Sequence, residues 1–213
     1  MPAMLSPEIT LADRVAGCLL GGALGDALGG PYENSPAPVA LAPDAVLSLS
    51  DDTQLTLATC EAIVAARGPD PERIAAAFAV LFEQRQIRGI GASTFKALQE
   101  LAAGGHWALV GSKGERAAGN GPATRIAPLA FLLDPADATA RQTIRDVCRI
   151  THHNDEAYCG ALAVLAGEAG LIREITSMLP DSAVRDRLIE ISSVGAKEPL
   201  SDVARRESDS AIS

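Results

Sequence analysis

An all-α fold is what this sequence predicts, and three observations predict it. Apolar residues recur at helical spacing in segment after segment, several segments open on a helix-capping side chain, and no stretch alternates apolar and polar residues as a half-buried strand does. Thr10 caps the first helix, with Leu11, Val15, Cys18, Leu19 and Ala23 recurring along it. Its glycine-rich part, residues 17–30, has neither the preceding strand nor the trailing Lys-Ser/Thr of a nucleotide-binding loop. Small residues on a helix let another backbone approach closely, so this helix is expected to be central and buried. Residues 54–66 carry the second helical pattern. Asp70-Pro71-Glu72, a cap followed by proline at the first helical position, starts a third that runs to about Gln84. Further helices are predicted near 93–102, 122–132, 138–150, 155–170 and 182–194, separated by Gly, Pro and Asp. Residues 201–213 are polar and poor in core side chains, which gives a helical domain over 10–195 and a frayed tail over 196–213.

At 213 residues and 47% hydrophobic the chain suits one domain with a full core, built from Ala, Leu, Ile and Val because only 3% of it is aromatic. A formal net charge of -9 offers no basic stripe to displace phosphate counterions, so nucleic acid is excluded as a general partner. Cys18, Cys60, Cys148 and Cys159 form no C-x-x-C pair and lie in helical patterns, as reduced core thiols of a cytoplasmic protein would. Val15-Ala16-Gly17-Cys18 looks like a lipoprotein cleavage site, but Glu8, Asp13 and Arg14 stand where an apolar leader is needed. The apolar stretch 15–25 is too short to span a bilayer, and no membrane segment is expected.

The most chemically pointed stretch is Ser50-Asp51-Asp52-Thr53, two adjacent carboxylates flanked by hydroxyls at a helix start. The unpaired first-turn N–H groups and the macrodipole favour the ionised carboxylate. Three hard oxygens, from Ser50, Asp51 and Asp52, suit Mg²⁺ or Mn²⁺ held with several waters. Taken alone, the tetrapeptide reads equally as an N-cap beside a surface acid. Gly119-Asn120-Gly121 before a helix presents backbone N–H groups to an anion, or serves simply as a turn and cap. His152 stands at a loop-to-helix junction, either as a hydrogen-bonded structural feature or as a ligand contact; its neighbour His153 has no assigned role.

Four motifs occur in a fixed order: Arg14-Val15-Ala16-Gly17-Cys18-Leu19-Leu20-Gly21-Gly22-Ala23-Leu24-Gly25-Asp26-Ala27-Leu28-Gly29-Gly30-Pro31-Tyr32-Glu33, then Ser50-Asp51-Asp52-Thr53, then Gly119-Asn120-Gly121-Pro122-Ala123-Thr124-Arg125-Ile126-Ala127-Pro128-Leu129, then Thr151-His152-His153-Asn154-Asp155-Glu156-Ala157. Together, over about residues 14–170, they resemble the ADP-ribosylglycohydrolase family. The resemblance implies a compact multi-helix orthogonal bundle, here lacking its C-terminal helices. It implies Mg²⁺-dependent (or Mn²⁺-dependent) hydrolysis of the glycosidic bond between ADP-ribose and a protein side chain or small acceptor. The implied partner is an ADP-ribosylated protein or an ADP-ribose-containing small molecule.

Carried over residue by residue, the resemblance makes Ser50, Asp51 and Asp52 metal ligands and Glu33, Asp51 and Asp52 the catalytic carboxylates. Gly119, Asn120 and Gly121 lie along the diphosphate and ribose, and His152 hydrogen-bonds one of them. Glu33 polarises a water or sugar hydroxyl, while Asp26 braces the helix ends. Pro122-Ala123-Thr124 replaces the small residues and Met usual before the Arg, a change the first helical turn tolerates. The family holds two ions, the second through an Asp-x-Asp-Thr motif after two glycines. No clear copy is present, and Glu207-Ser208-Asp209-Ser210 is read as a chance echo, which leaves the second ion without ligands. An impaired hydrolase is therefore expected, beside a non-catalytic ADP-ribose-binding or crystallin-like structural relative and an incomplete fragment.

Overall fold

A computed structural model describes residues 9–33, 35, 36, 47–166, 176, 177, 180–183, 185, 186 and 189. Seven α-helices appear among them: α1 Leu11–Gly29, α2 Asp51–Ala66, α3 Pro71–Glu83, α4 Ala92–Ala102, α5 Gly121–Arg125, α6 Ala138–Arg149 and α7 Asp155–Ala166. The all-α expectation holds, and the helix starts follow the predicted caps. Thr10 and Asp13 form a capping box on α1, Ser50 Oγ accepts from the Asp52 amide on α2, and Asp70 accepts from the Glu72 and Arg73 amides on α3. Asp137 does the same for α6, and Asn154 Oδ1 accepts from the amides of Glu156 at 2.7 Å and Ala157 at 3.3 Å on α7.

The core is aliphatic, as the composition requires. Leu55, Ile74, Phe78, Leu98, Ile126, Leu129, Ile144, Ile150 and Leu162 are buried where α2, α3, α4, α6 and α7 meet. Cys148 and Cys159 are buried in this core, whereas Cys18 and Cys60 are half-buried; all four are free thiols.

Three predicted features change. The helix expected over 122–132 splits into α5 and a 3₁₀ turn, Ala127–Phe131. Pro128 has no N–H to continue an α ladder and disfavours the α region at Ala127, which accounts for the change of pitch. Two strands appear where none was expected: β1 Ser112–Lys113 pairs in parallel with β2 His152–His153. Two residues are too few to show a periodicity. Gly111 makes this pairing possible, because its φ is +91° and a Cβ there would stand 2.7 Å from the Thr151 carbonyl oxygen.

The third change concerns α1, which is not central and buried. Val15, Cys18, Leu19, Ala23 and Asp26 make a half-buried stripe against its neighbours, and Ala27 alone is buried, while Leu20 and Leu24 are 71% and 55% exposed. A Cβ built on Gly17, Gly21, Gly22, Gly25 or Gly29 would meet nothing within 4 Å among the described residues. Small residues permit close approach but do not bring a partner. The last turn predicted for α7, residues 167–170, lies outside the described residues, as do the tail 196–213 with Glu207 and Asp209 and most of the helix predicted over 182–194.

Candidate functional site

The site begins where the C-terminal turn of α1 meets the N-terminus of α2. Asp26 Oδ2 accepts from the Ser50 amide at 2.9 Å and from the Thr53 hydroxyl at 2.6 Å. Burial alone would raise the Asp26 carboxyl, but the bonds from Thr53 and Ser50 outweigh it and hold it below the usual carboxylate range. Asp26 thus clamps α1 to the first turn of α2, the bracing role expected of it. That clamp sets the direction in which Asp51 and Asp52, the first two residues of α2, leave the helix.

The two carboxylates behave differently. Asp51 turns toward the loop before α4: its Oδ1 is 3.6 Å from where a Cβ on Gly89 would stand, and the Gly91 amide bonds to it. Burial, followed by repulsion from Asp52, pushes the Asp51 carboxyl up to about 6, with the Gly91 amide and Arg125 pulling the other way. Asp51 therefore stays mostly ionised at neutral pH, as its place at the helix start implies, but takes up a proton more readily than an ordinary carboxylate. Desolvation and a like charge exceed the helix-terminus effect, which is modest even in favourable geometry.

Asp52 instead lines an open cleft of about 430 Å³ together with Glu33, Tyr32, Asp26, Asn120 and Thr124. Gly22, Gly25 and Gly29 of α1 form one wall of it. This explains the glycines that do not pack: a side chain at any of them would project into the cleft. Glu33 follows the 3₁₀ turn Gly30–Tyr32 and is exposed.

A second, buried part of the site lies on the other side of α5. Arg125 is 1% exposed; its Nη1 donates to the Gly121 carbonyl at 2.8 Å and its Nη2 to Thr151 Oγ1 at 2.7 Å. Its guanidinium sits 5.3 Å from the centre of the Phe78 ring, and its Nε has no hydrogen-bond partner among the described residues. Burial draws the Arg125 pKa down to about 10, opposed by Cys148, Asp51 and Asp52, so it remains a cation at neutral pH. Thr151 Oγ1 is in turn 2.7 Å from His152 Nδ1. His152 is buried, and that burial, with the positive charge of Arg125 second, holds its pKa down to about 4, so the ring is neutral.

The loop at Gly119-Asn120-Gly121 drapes over the His152 ring. A Cβ on Gly119 would stand 2.9 Å from His152 Nε2, and one on Gly121 would stand 2.9 Å from His152 Cε1. Contacts that short do not occur, so glycine at both positions is what lets the loop lie against the imidazole. His153 points elsewhere: its Nε2 donates to the Val110 carbonyl at 2.7 Å and fastens β2 to the segment before β1.

Of the residues singled out from the sequence, the structure gathers Glu33, Asp52 and Asn120 on one cleft and packs Gly119 and Gly121 on His152. Ser50 caps α2 through its hydroxyl and, with Asp51, stands beside the cleft rather than among its lining. Among the described residues, no three His, Cys, Asp or Glu side chains come together as a metal-holding group. Arg125 and Thr151, to which the motifs assign no role, join the site through these bonds. The available signal was an arginine set in the apolar run Ile126, Pro128, Leu129, which only a hydrogen-bonded guanidinium can occupy.

Residues 7–212 match the family model of the ADP-ribosylglycohydrolases, an interval longer than the one over which the motifs alone were read. An uncharacterized protein of Archaeoglobus fulgidus is 28% identical over 168 residues, which cover 72% of this chain and 54% of that protein. A solved structure described as an ADP-ribosylglycohydrolase-related protein complex is similar with a TM-score of 0.58 and 26% identity, over 78% of this chain and 60% of that one. The chain thus spans about half the length of the curated relative it matches.

Proposed function

The chain belongs to the ADP-ribosylglycohydrolase family, and on that premise we propose that it is a Mg²⁺-dependent hydrolase of the glycosidic bond between ADP-ribose and a protein side chain or small acceptor. The observation that carries this reading is the cleft of about 430 Å³ that brings Glu33, Asp52 and Asn120 together against a glycine wall. Its volume suits the ribose end of such a substrate, and Asn120 of the loop that would take the diphosphate is part of its lining.

Hydrolysis at the anomeric carbon passes through an oxocarbenium-like state, so a carboxylate near the ribose stabilises charge that develops only there. In this reading Asp52 supplies that charge. Glu33, an exposed part of the cleft lining, accepts a proton from the attacking water as the water oxygen bonds to the anomeric carbon; the acceptor leaves with the electron pair of the broken bond, takes a proton from solvent, and Glu33 returns its proton to solvent. The backbone amides of the Gly119–Gly121 loop face the diphosphate, and His152 beneath them fixes the loop's height.

The donor set of Ser50 Oγ, Asp51 and Asp52 fits a hard divalent cation. Two neighbouring carboxylates, one of them pushed up to about 6 by burial and then by the charge of the other, are an arrangement that a cation would relieve. When bound, Mg²⁺ orients ribose hydroxyls and makes a water more acidic. A second reading, a non-catalytic ADP-ribose binder, is favoured by one observation: no third carboxylate joins this pair among the described residues.

The test is release of free ADP-ribose from ADP-ribosylated arginine and serine peptides and from the acetyl ester of ADP-ribose, with Mg²⁺ present and chelated. Release that needs Mg²⁺ and is lost in Glu33→Gln and Asp52→Ala is the expected result. A melting temperature raised by ADP-ribose without release would select the binder; neither effect would sink both readings.

A further inference from the structure

We propose that Arg125 and Thr151 form a positioning relay that fixes the tautomer of His152, placing its single imidazole proton on Nε2 beneath the Gly119–Gly121 loop. The inference rests on proton bookkeeping around one hydroxyl. Thr151 Oγ1 has two close polar partners, Arg125 Nη2 at 2.7 Å and His152 Nδ1 at 2.7 Å. Guanidinium nitrogens only donate, so Thr151 Oγ1 must accept from Arg125. A hydroxyl carries one proton of its own, and Thr151 is fully buried. If His152 Nδ1 also carried a proton and donated, the hydroxyl would accept twice and its own hydrogen would be buried without an acceptor among the bonds this group makes. That arrangement costs the desolvation of a polar group and is avoided in folded proteins. The satisfied arrangement runs one way: Arg125 to Thr151 to His152 Nδ1, with Nδ1 accepting.

A neutral imidazole holds one proton, so an accepting Nδ1 leaves Nε2 as the donor. Burial keeps the ring neutral rather than doubly protonated. The position of Nε2 then acquires meaning, because it lies 2.9 Å from where a Cβ on Gly119 would be and 3.5 Å from one on Gly121. The donor edge of the ring therefore faces the loop from below, in space that only glycine leaves open. Arg125 holds the same loop a second way, through the Gly121 carbonyl at 2.8 Å. One buried cation thus sets both the height of the loop and the polarity of the ring beneath it. A donor fixed here favours an oxygen acceptor, such as a diphosphate or ribose oxygen, over a donor group. That last step rests on the ADP-ribose reading above, whereas the relay itself does not.

The experiment is two-bond ¹H–¹⁵N correlation of the imidazole rings at neutral pH in the whole chain, together with calorimetry against ADP-ribose. The sequence holds three histidines, and His106→Gln and His153→Gln assign the remaining signal to His152. The expected wild-type spectrum shows His152 protonated at Nε2 alone. Thr151→Val removes the hydroxyl at nearly constant shape; the ring should then populate both tautomers and ADP-ribose binding should weaken about tenfold or more. Thr151→Ser keeps the hydroxyl and should restore both. A wild-type ring protonated at Nδ1 overturns the relay, and so does a Thr151→Val protein whose tautomer is unchanged. Should Thr151→Val not fold, the wild-type and Thr151→Ser spectra still decide. A locked tautomer in a protein that does not bind ADP-ribose upholds the relay and removes the ADP-ribose reading, so the two failures are distinguishable.

Discussion

The two halves of the site are built on opposite principles. Around Arg125, Thr151 and His152 every group is buried and, apart from Arg125 Nε and the His152 Nε2 that faces the loop, the polar atoms are matched in pairs with distances of 2.7–2.8 Å. Around Asp51, Asp52 and Glu33 the groups are half-buried or exposed and two like charges are adjacent. The first half is finished before any ligand arrives, and the second is strained until a cation or substrate charge enters. A site divided this way places geometric precision where the diphosphate is proposed to lie, and stores electrostatic demand where bond cleavage is proposed to occur.

The comparison breaks most visibly at Arg125. Arg125→Met keeps apolar contact with Phe78 but removes the charge-assisted bonds to the Gly121 carbonyl and the Thr151 hydroxyl, leaving these groups only Thr124 Oγ1 at 3.0 Å and His152 Nδ1 at 2.7 Å. It should destabilise the fold by about 2–4 kcal/mol, the loss of two buried hydrogen bonds from a charged donor, measured by urea denaturation. Asp52→Ala, in the other half, should change stability by no more than about 0.5 kcal/mol. Equal effects from the two substitutions would erase the distinction between the halves.

A smaller effect is expected at the loop. Gly119→Val drives a branched side chain into the space 2.9 Å from His152 Nε2, which should cost about 1–3 kcal/mol as an overpacked contact. It should also abolish any rise in melting temperature with ADP-ribose. Thermal denaturation with and without millimolar ADP-ribose checks both, and a retained ligand shift would detach the loop from the binding site.

A change in stability that appears only as pH is varied sharpens the second half. Asp51 titrates near 6 in the folded protein and near 3.9 when unfolded. Between those values the folded state holds a proton that the unfolded state has lost, so this group's contribution falls as pH rises through that window and is gone above about 6. Asp51→Asn has no such slope. Denaturation of the metal-free protein from pH 4 to pH 8 should show the wild type losing stability relative to Asp51→Asn up to about pH 6 and running parallel above it. Mg²⁺ should then favour the wild type alone, and more strongly above pH 6, because its binding must displace that proton. Parallel curves throughout would show that neither burial nor the charge of Asp52 raises the Asp51 carboxyl in the folded protein.

What the sequence made legible follows the same division. Helix starts were readable because their determinants are local: Thr10, Asp70 and Asp137 cap with side chains a few residues from the amides they serve. The carboxylates were readable because adjacent acids at a helix start are conspicuous whatever surrounds them. Burial of α1 was misjudged because its Ala, Leu and Gly run nearly all the way round the helix, so residue type alone names no inward face. The Arg125 relay was invisible for the opposite reason. Its partners Gly121 and Thr151 stand 4 and 26 residues away, and the longer link depends on a parallel pairing of two residues that has no periodicity to detect. Precise geometry made by distant residues leaves little local trace.

That parallel pairing also orders events in time. β1 and β2 lie roughly 40 positions apart, so on a growing chain the imidazole reaches its place beside Ser112 about 2–8 s after β1 is made, at ordinary synthesis rates of roughly 5–20 residues per second. The α2–α3 and α3–α4 packing joins nearer neighbours in the chain, about 20 residues apart, and waits about half as long. Throughout that interval the Gly119–Gly121 loop has no ring to rest on, and Arg125 has no hydroxyl to meet. The buried half of the site is therefore a product of late closure, completed after the helices that precede it in the chain.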